Sequence, residues 1–204
     1  MLGLPKSTEM SKQLPKKAIY TKFQMNTAAK DKIDADISRI TIVNEITADK
    51  VNIPVGENVQ SFFVLLVTLK RRNFDEKNIA MLSKLIPQNI LFILEYEGNF
   101  KLAIYHTKLM QTQWRPADQY SIELKGIDLD KVWENIVAQI GGITIVDNNT
   151  LDEQIQLDES RQKLEKEIAK LEKLARAEKQ PRKKFELVQR IKQLRRDNDN
   201  AEIR

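Results

Sequence analysis

Three apolar segments lie close together between residues 60 and 110, and a helical pattern separates the first from the second. They run over 62–67, 90–94 and 100–106 and are rich in β-branched and aromatic side chains, which predicts three strands. The first segment is apolar at every position, so both faces of its strand should be covered and the strand should lie centrally. This region therefore predicts a strand–helix–strand–hairpin unit that holds most of the core.

Cap and turn residues set the limits of these elements. The helix after the first strand begins at Asn73 or Asp75, since either can cap it, and it ends at Pro87. Glu97-Gly98-Asn99 predicts the turn that joins the second and third strands. Periodicity elsewhere predicts a helix over 27–39 capped by Asn26, strands over 40–46 and 51–55, a strand over 120–124, a helix over 128–139 and a strand over 143–146. The fold class that follows is α/β, a mixed central sheet flanked by helices.

The sequence changes character at Leu151. From this residue onward, apolar side chains recur at steps of three and four on both sides of Pro181, which predicts two helices joined by a turn. We therefore expect three regions: a flexible basic lead-in over 1–18, an α/β domain over 19–150, and a basic, coiled-coil-like helical hairpin over 151–204. A hairpin with only about three heptads in each arm needs another surface to be stable, so we expect it to await a partner.

Composition argues against several classes of site. The 204 residues include no cysteine, which removes disulfides and thiolate metal sites and fits a reducing cytoplasm. The single histidine, His106, argues against a histidine-built metal centre and removes the usual general base. No segment approaches the roughly 20 apolar residues of a membrane helix, and the first residues lack the apolar core of a signal peptide. We expect a cytoplasmic protein without cofactor, metal or membrane contact.

The net charge of +5 is unevenly distributed along the chain. Residues 160–196 hold 14 basic and five acidic side chains, a net charge of +9, which leaves −4 for the rest. Cations on a helix can neutralise phosphates and release counterions, which gives sequence-independent affinity for nucleic acid. The alternative is that the lysines keep a coiled coil in solution and pair with its glutamates. The candidate nucleic-acid-binding residues are Arg182, Lys183, Lys184, Arg190, Arg195 and Arg196.

The apolar stripe of the same region is a candidate surface for docking a protein partner. A stripe with helical spacing is the usual way in which one helix binds another. The two interpretations are compatible, since one face of the hairpin can hold a partner while another contacts phosphates. The candidate docking residues are Leu164, Ile168, Leu171, Phe185, Val188 and Ile191.

One enzyme pattern is visible in the predicted order of a helix, three strands, a helix and a strand. This order resembles the restriction-nuclease-like core, in which acids hold a divalent metal and a lysine steadies the attacking water. Lys70 follows the central strand where that lysine would stand, but Thr68 occupies the place of the acid. The expected strand over 51–55 holds no acid either. Lys70 is therefore a catalytic candidate without assigned metal ligands.

The segments Phe62–Lys70, Ile79–Pro87 and Asn89–Leu94, with an early helix before a strand and a charged tail, form a familiar combination. The chain resembles a bacterial domain-of-unknown-function family, number 4391, over most of residues 15–175. Members of that family are similar in being encoded beside DNA methyltransferases and helicases of restriction or anti-phage loci. The resemblance implies an accessory role on DNA in a defence complex, and it transfers no catalytic residue to this chain.

We therefore expect a non-catalytic accessory subunit of a bacterial anti-phage or restriction-type defence system. It would dock on a helicase or a DNA methyltransferase through the apolar stripe and contact DNA through the basic residues. Two alternatives stay open: a degenerate or atypical metal-dependent nuclease, and a purely structural coiled-coil adaptor. Metal-dependent DNA cleavage would identify the first alternative, and a complete lack of affinity for DNA would identify the second.

Overall fold

A computed structural model describes residues 2–146 and 149–202, with side chains described as far as Arg196. The chain divides into two compact units, Met1–Ile143 and Thr144–Arg204. This boundary lies close to the change in sequence character expected at residue 151.

Strands and helices of the first unit alternate along the chain. Its strands are β1 (Glu9–Gln13), β2 (Ile37–Thr47), β3 (Ser61–Leu69), β4 (Asn89–Tyr96), β5 (Asn99–Tyr105), β6 (Leu109–Gln111) and β7 (Arg115–Pro116). Its helices are α1 (Lys16–Lys22), α2 (Thr27–Asp36), α3 (Ala48–Val51), α4 (Glu76–Leu85) and α5 (Leu129–Gly141). Short 3-10 turns occur at Lys6–Thr8 and Ala117–Gln119.

The strands form one mixed sheet of seven strands. Their order is β1-β2-β3-β4-β5-β6, and β7 also pairs with β5. β3 and β4 run parallel, with α4 between them in the chain, while the other pairings are antiparallel. At the centre of β3, Leu65 lies opposite Ile42 of β2 and Phe92 of β4. The predicted α/β class and the mixed sheet are confirmed, and β3 occupies an interior position.

Both faces of β3 are covered, as its continuous apolar run predicts. On one face, a buried cluster joins Ile33 of α2 and Ile79 of α4 to Leu65 and Phe92 of the sheet. Side chains alternate across a strand, so Phe62, three residues before Leu65 in β3, points to the other face. There its ring centroid lies 5.2 Å from that of Trp133 in α5. A fully buried side chain of this size contributes about 1.5–3 kcal/mol to folding.

The predicted helix starts are confirmed by side-chain caps. The capping residues each accept a hydrogen bond from a backbone N–H in the first turn: Asn26 from Ala29, Asp75 from Lys77, and Asp128 from Lys131. The hairpin between β4 and β5 turns at Glu97 and Gly98, whose φ angles are +47° and +76°. Two consecutive residues with positive φ are what a tight two-residue hairpin requires.

The expected flexible lead-in is wrong for residues 9–13, which form β1 and pair antiparallel with β2. The strand was not visible in the sequence because its side chains are mostly exposed, and its order comes from backbone pairing with a neighbour. The expected strand over 51–55 is also wrong. Asn52 takes a left-handed conformation after α3, and Pro54 has no N–H to donate to a ladder.

Two further expected strands are absent from the described residues, over 120–124 and over 143–146. In the first, the backbone N–H of Ile122 donates to the carbonyl of Leu2 instead of to a strand ladder. In the second, Ile143 N–H donates to the Ala138 carbonyl, because Gly142 takes a left-handed conformation that ends α5. Local apolar character was present in both segments, but their backbone groups bond elsewhere.

The described residues of the second unit form two helices, α6 (Leu151–Ala177) and α7 (Pro181–Glu202), which contact each other. α6 begins with a capping box, in which the Thr150 side chain and backbone exchange hydrogen bonds with Glu153. Three residues, 178–180, link the helices, and Pro181 opens α7, where its fixed φ and missing N–H are tolerated. The predicted C-terminal helical pair is confirmed.

Candidate functional site

α7 carries the densest positive charge of the chain. From Pro181 to Arg196 it holds seven basic residues and one acid, Glu186, a net charge of +6. Ile191 and Leu194 are buried, and Leu187 and Val188 are half-buried, so one side of the helix is used for packing. The six predicted nucleic-acid-binding residues are exposed. The structure therefore places all six on one helix, outside its buried positions.

The predicted cations differ in their ion pairs. Arg195 Nη2 lies 2.6 Å from Glu172 Oε1 of α6, and this contact links the two helices. Arg182 Nε lies 3.5 Å from Glu186 Oε1, one turn along α7. Within the described residues, Lys183 and Lys184 form no ion pair. The Arg182–Glu186 pair is exposed on both sides, and such pairs are worth little in water, so Arg182 stays available to a phosphate.

The six predicted docking residues are not equivalent. Leu164, Ile168 and Leu171 of α6 and Val188 of α7 are half-buried, whereas Ile191 is only 8% exposed and Phe185 is 63% exposed. Each step of three residues falls about 60° short of a full helical turn. Two such steps place Phe185 about 120° around α7 from Ile191, so a stripe written at steps of three does not stay on one face. Ile191 serves packing, and Phe185 faces solvent.

A groove between α6 and α7 was missed by the sequence reasoning. It has a volume of about 570 Å³ and an apolar floor beside charged side chains. Leu174, which contributes to this floor, is 49% exposed, and no simple period distinguishes it from its packed neighbours. The groove is lined by Leu174, Ala177, Glu178, Lys183, Glu186, Leu187 and Arg190.

The catalytic candidate Lys70 lies at the end of β3, where its Nζ donates to the backbone carbonyl of Asp34 at 2.5 Å. Nearby, the Asp36 carboxylate is 1% exposed. Its Oδ1 accepts from Arg71 Nε at 2.6 Å, and its Oδ2 accepts from Asp75 N and Asn78 Nδ2 at 2.8 and 2.7 Å. With Arg71 Nη2 also 2.5 Å from Oδ1, the roughly four acceptor positions of this carboxylate are occupied.

Asp34 forms a second polar cluster beside Lys70. Its carboxylate accepts hydrogen bonds from Lys16 Nζ and, at 2.9 Å, from the Tyr20 hydroxyl. The Lys16 hydrogen bond holds the pKa of Asp34 below its usual range, against the opposing effect of burial. Burial, followed by the Asp34 hydrogen bond, raises the pKa of Tyr20. These contacts tie α1 to α2.

The residues near Lys70 therefore join helices and strand ends to one another. Among residues 2–146 and 149–202, no group of three or more His, Cys, Asp or Glu side chains is arranged to hold a metal ion. The acid missing from position 68 is not supplied by Asp36, since its oxygens are already used by protein donors. Sequence reasoning missed this cluster because its members lie about 40 residues apart in the chain.

A comparison with protein-family models matches residues 2–197 to the family described as Domain of unknown function (DUF4391). The match extends over both units. No curated protein and no solved structure matches the chain. Within the described residues, no helix has both the length and the apolar character needed to cross a membrane.

Proposed function

This chain belongs to the DUF4391 family, and we propose that it is a non-catalytic accessory subunit that contacts DNA in a bacterial anti-phage or restriction-type defence system. The observation that carries the DNA contact is the exposed basic surface of α7, with seven basic residues against one acid. The defence context comes from the family resemblance of the sequence. The proposal includes a helicase or a DNA methyltransferase as the protein partner.

Counterion release supplies the physical reason. Each phosphate that a basic side chain neutralises makes log K fall by about 0.9 per unit of log salt concentration on duplex DNA. Lys183 and Lys184 are exposed and form no ion pair within the described residues, and Arg182 is paired only on the surface of its own helix. These three consecutive cations at the start of α7 can therefore contact a phosphate without breaking a strong interaction within the protein.

Docking on the protein partner would use α6. Leu164, Ile168 and Leu171 recur along it and remain half-buried, and Leu174 continues the series with 49% of its surface exposed. Apolar side chains at helical spacing are suited to a groove or a helix on another protein. In this proposal the protein partner and DNA contact different residues of the second unit.

The test is binding of the full chain to a labelled DNA duplex across a salt series. The variant Arg182→Glu/Lys183→Glu/Lys184→Glu reverses three cations of α7. We expect it to weaken binding and to reduce the salt slope by about 2.7, at about 0.9 for each phosphate contact. The matched control, Lys6→Glu/Lys12→Glu/Lys17→Glu, changes the net charge equally at exposed positions of the first unit.

Loss of binding in the α7 variant, with the control close to the wild type, supports the proposal. Equal losses in both variants would show that net charge alone attracts DNA, and this result would contradict a contact by α7. Failure of the wild-type chain to bind any duplex at low salt would contradict the proposed DNA contact and favour the alternative of a purely structural coiled-coil adaptor. The nuclease alternative instead requires cleavage with Mg²⁺ or Mn²⁺ that Lys70→Ala abolishes.

A further inference from the structure

Phe185 is a large apolar side chain that lies mostly in solvent. It is 63% exposed, while Ile191 and Leu194 of the same helix are only 8% and 6% exposed. With 3.6 residues per turn, Phe185 lies about 120° around α7 from Ile191. An aromatic ring exposed to solvent on a regular helix stabilises the fold little, so we expect this side chain to take part in binding.

The surroundings of Phe185 are polar and cationic. Gln189, Lys192 and Arg196 follow it at four, seven and eleven residues, which keeps them on the same side of the helix. Phe185 lines a surface groove of about 770 Å³ together with these three side chains, Glu186, Arg190 and Gln193. The one acid of the groove, Glu186, is paired with Arg182. The groove therefore offers one ring face among three basic residues.

This chemistry favours nucleic acid over a protein partner. The core of a protein interface is depleted in charged residues and needs several apolar side chains together. Sites for single strands instead combine a positively charged groove with aromatic rings on which bases stack. Bases in an undistorted duplex are stacked on one another and present only their edges, and inserting a ring between them costs a few kcal/mol of unstacking. A single strand offers its base faces without that cost.

We propose that Phe185, with Lys192 and Arg196, forms a base-stacking site for single-stranded DNA. This inference rests on the proposed DNA contact of α7 and specifies the kind of strand that it holds. Eleven residues separate Phe185 from Arg196, or about 16 Å along the helix, so the site spans a few nucleotides. Phe185 holds a base through its ring, while the two cations neutralise the phosphates that follow.

The experiment compares Phe185→Ala, Phe185→Leu and Phe185→Trp in the full chain. The probes are a fluorescently labelled oligothymidine and a labelled duplex of the same length, measured by anisotropy. We expect alanine and leucine to weaken binding of oligothymidine by about 5- to 150-fold, the range of a lost stacked base, while tryptophan retains it. Binding of the duplex, and the salt slope for both probes, should stay unchanged, because no charge is removed.

Leucine is the decisive control, since it keeps an apolar side chain but removes the ring. Wild-type affinity for oligothymidine in both Phe185→Ala and Phe185→Leu would overturn the stacking site, as would an equal loss on single strand and duplex. Neither result would affect the proposed phosphate contact, which the charge-reversal variant of Arg182, Lys183 and Lys184 tests separately. If the charge reversal leaves duplex binding intact, the proposed function fails instead.

Discussion

The Asp130 carboxylate lies against Gly56, so closely that a Cβ on residue 56 would overlap with its Oδ1 and with the Asp130 backbone nitrogen. The loop after Gly56 wraps around this carboxylate. Asp130 accepts hydrogen bonds from the backbone N–H groups of Glu57 at 3.0 Å and Val59 at 2.6 Å, and from Asn58. The entry to β3 is thereby fixed to the first turn of α5, which lies more than 70 residues later in the chain.

Replacement of Gly56 by alanine should destabilise the protein by about 1–3 kcal/mol, the usual effect of adding a methyl group where there is no space. The loop would have to move away from the carboxylate and lose its hydrogen bonds. Chemical denaturation measures the change. Gly98→Asn is the control, because Gly98 has open space around it and asparagine tolerates a positive φ; a similar loss there would contradict a specific role for Gly56.

Asp130 should make the stability of the protein depend on pH. Desolvation raises the pKa of Asp130, but the backbone N–H groups of Val59, Asn58 and Glu57 outweigh it and hold this pKa below its ordinary value. A carboxyl whose pKa is depressed by folding stabilises above its unfolded pKa, about 3.9, and this stabilisation is lost as the pH falls through the folded value. Asp130→Asn should therefore be less stable at pH 7 and lose less stability between pH 5 and pH 2. Parallel unfolding curves for both proteins across that range would contradict this role.

Replacement of the Asp36 carboxylate should lower the stability of the first unit. It is buried and accepts hydrogen bonds from Arg71, Asp75 and Asn78. Asp36→Asn removes the charge and replaces one acceptor oxygen by an NH2 group, which faces the existing donors. We expect the free energy of unfolding to fall by about 1.5–3 kcal/mol. Asp31→Asn, an exposed acid of the same helix, is the matched control and should change stability little. Thermal unfolding of the two variants provides the comparison.

Truncation of Ile191 should destabilise the protein far more than truncation of Phe185. Ile191→Ala removes a buried side chain and should destabilise the helical pair by about 2–4 kcal/mol. Phe185→Ala removes an exposed one and should stay within about 0.5 kcal/mol of the wild type. Thermal melts followed by circular dichroism measure both changes. Equal destabilisation would mean that Phe185 also packs, and it would weaken the proposed stacking role.

Periodicity and capping were sufficient to predict the main elements. β3 was predicted as an interior strand because six consecutive apolar residues can be buried only between two layers, and Asn26 and Asp75 marked helix starts through local chemistry. The two C-terminal helices followed from the spacing on each side of Pro181. Each of these predictions depends on residues within about one turn of one another.

The missed features depend on distant residues. Nothing near Gly56 in the sequence indicates that Asp130 will lie against it, and the partners of Asp36 likewise come from a different helix and loop. β1 forms because β2 offers it a free edge, not because of its own side chains. Phe185 and Ile191, which share one apolar stripe in the sequence, lie about 120° apart around α7, since steps of three residues drift around a helix of 3.6 residues per turn.

The two edges of the sheet are both poor sites for pairing with a strand of another molecule, which affects aggregation at high concentration. β1 is short, carries the charged Glu9 and Lys12 and has a register shift between them, while on the opposite side β6 and β7 have three and two residues and β7 includes Pro116. Short, charged or proline-bearing margins are poor templates for strands from another molecule. The sheet is thereby protected against growing into an intermolecular aggregate, and assembly with other molecules at these margins has to proceed through side chains instead of backbone pairing.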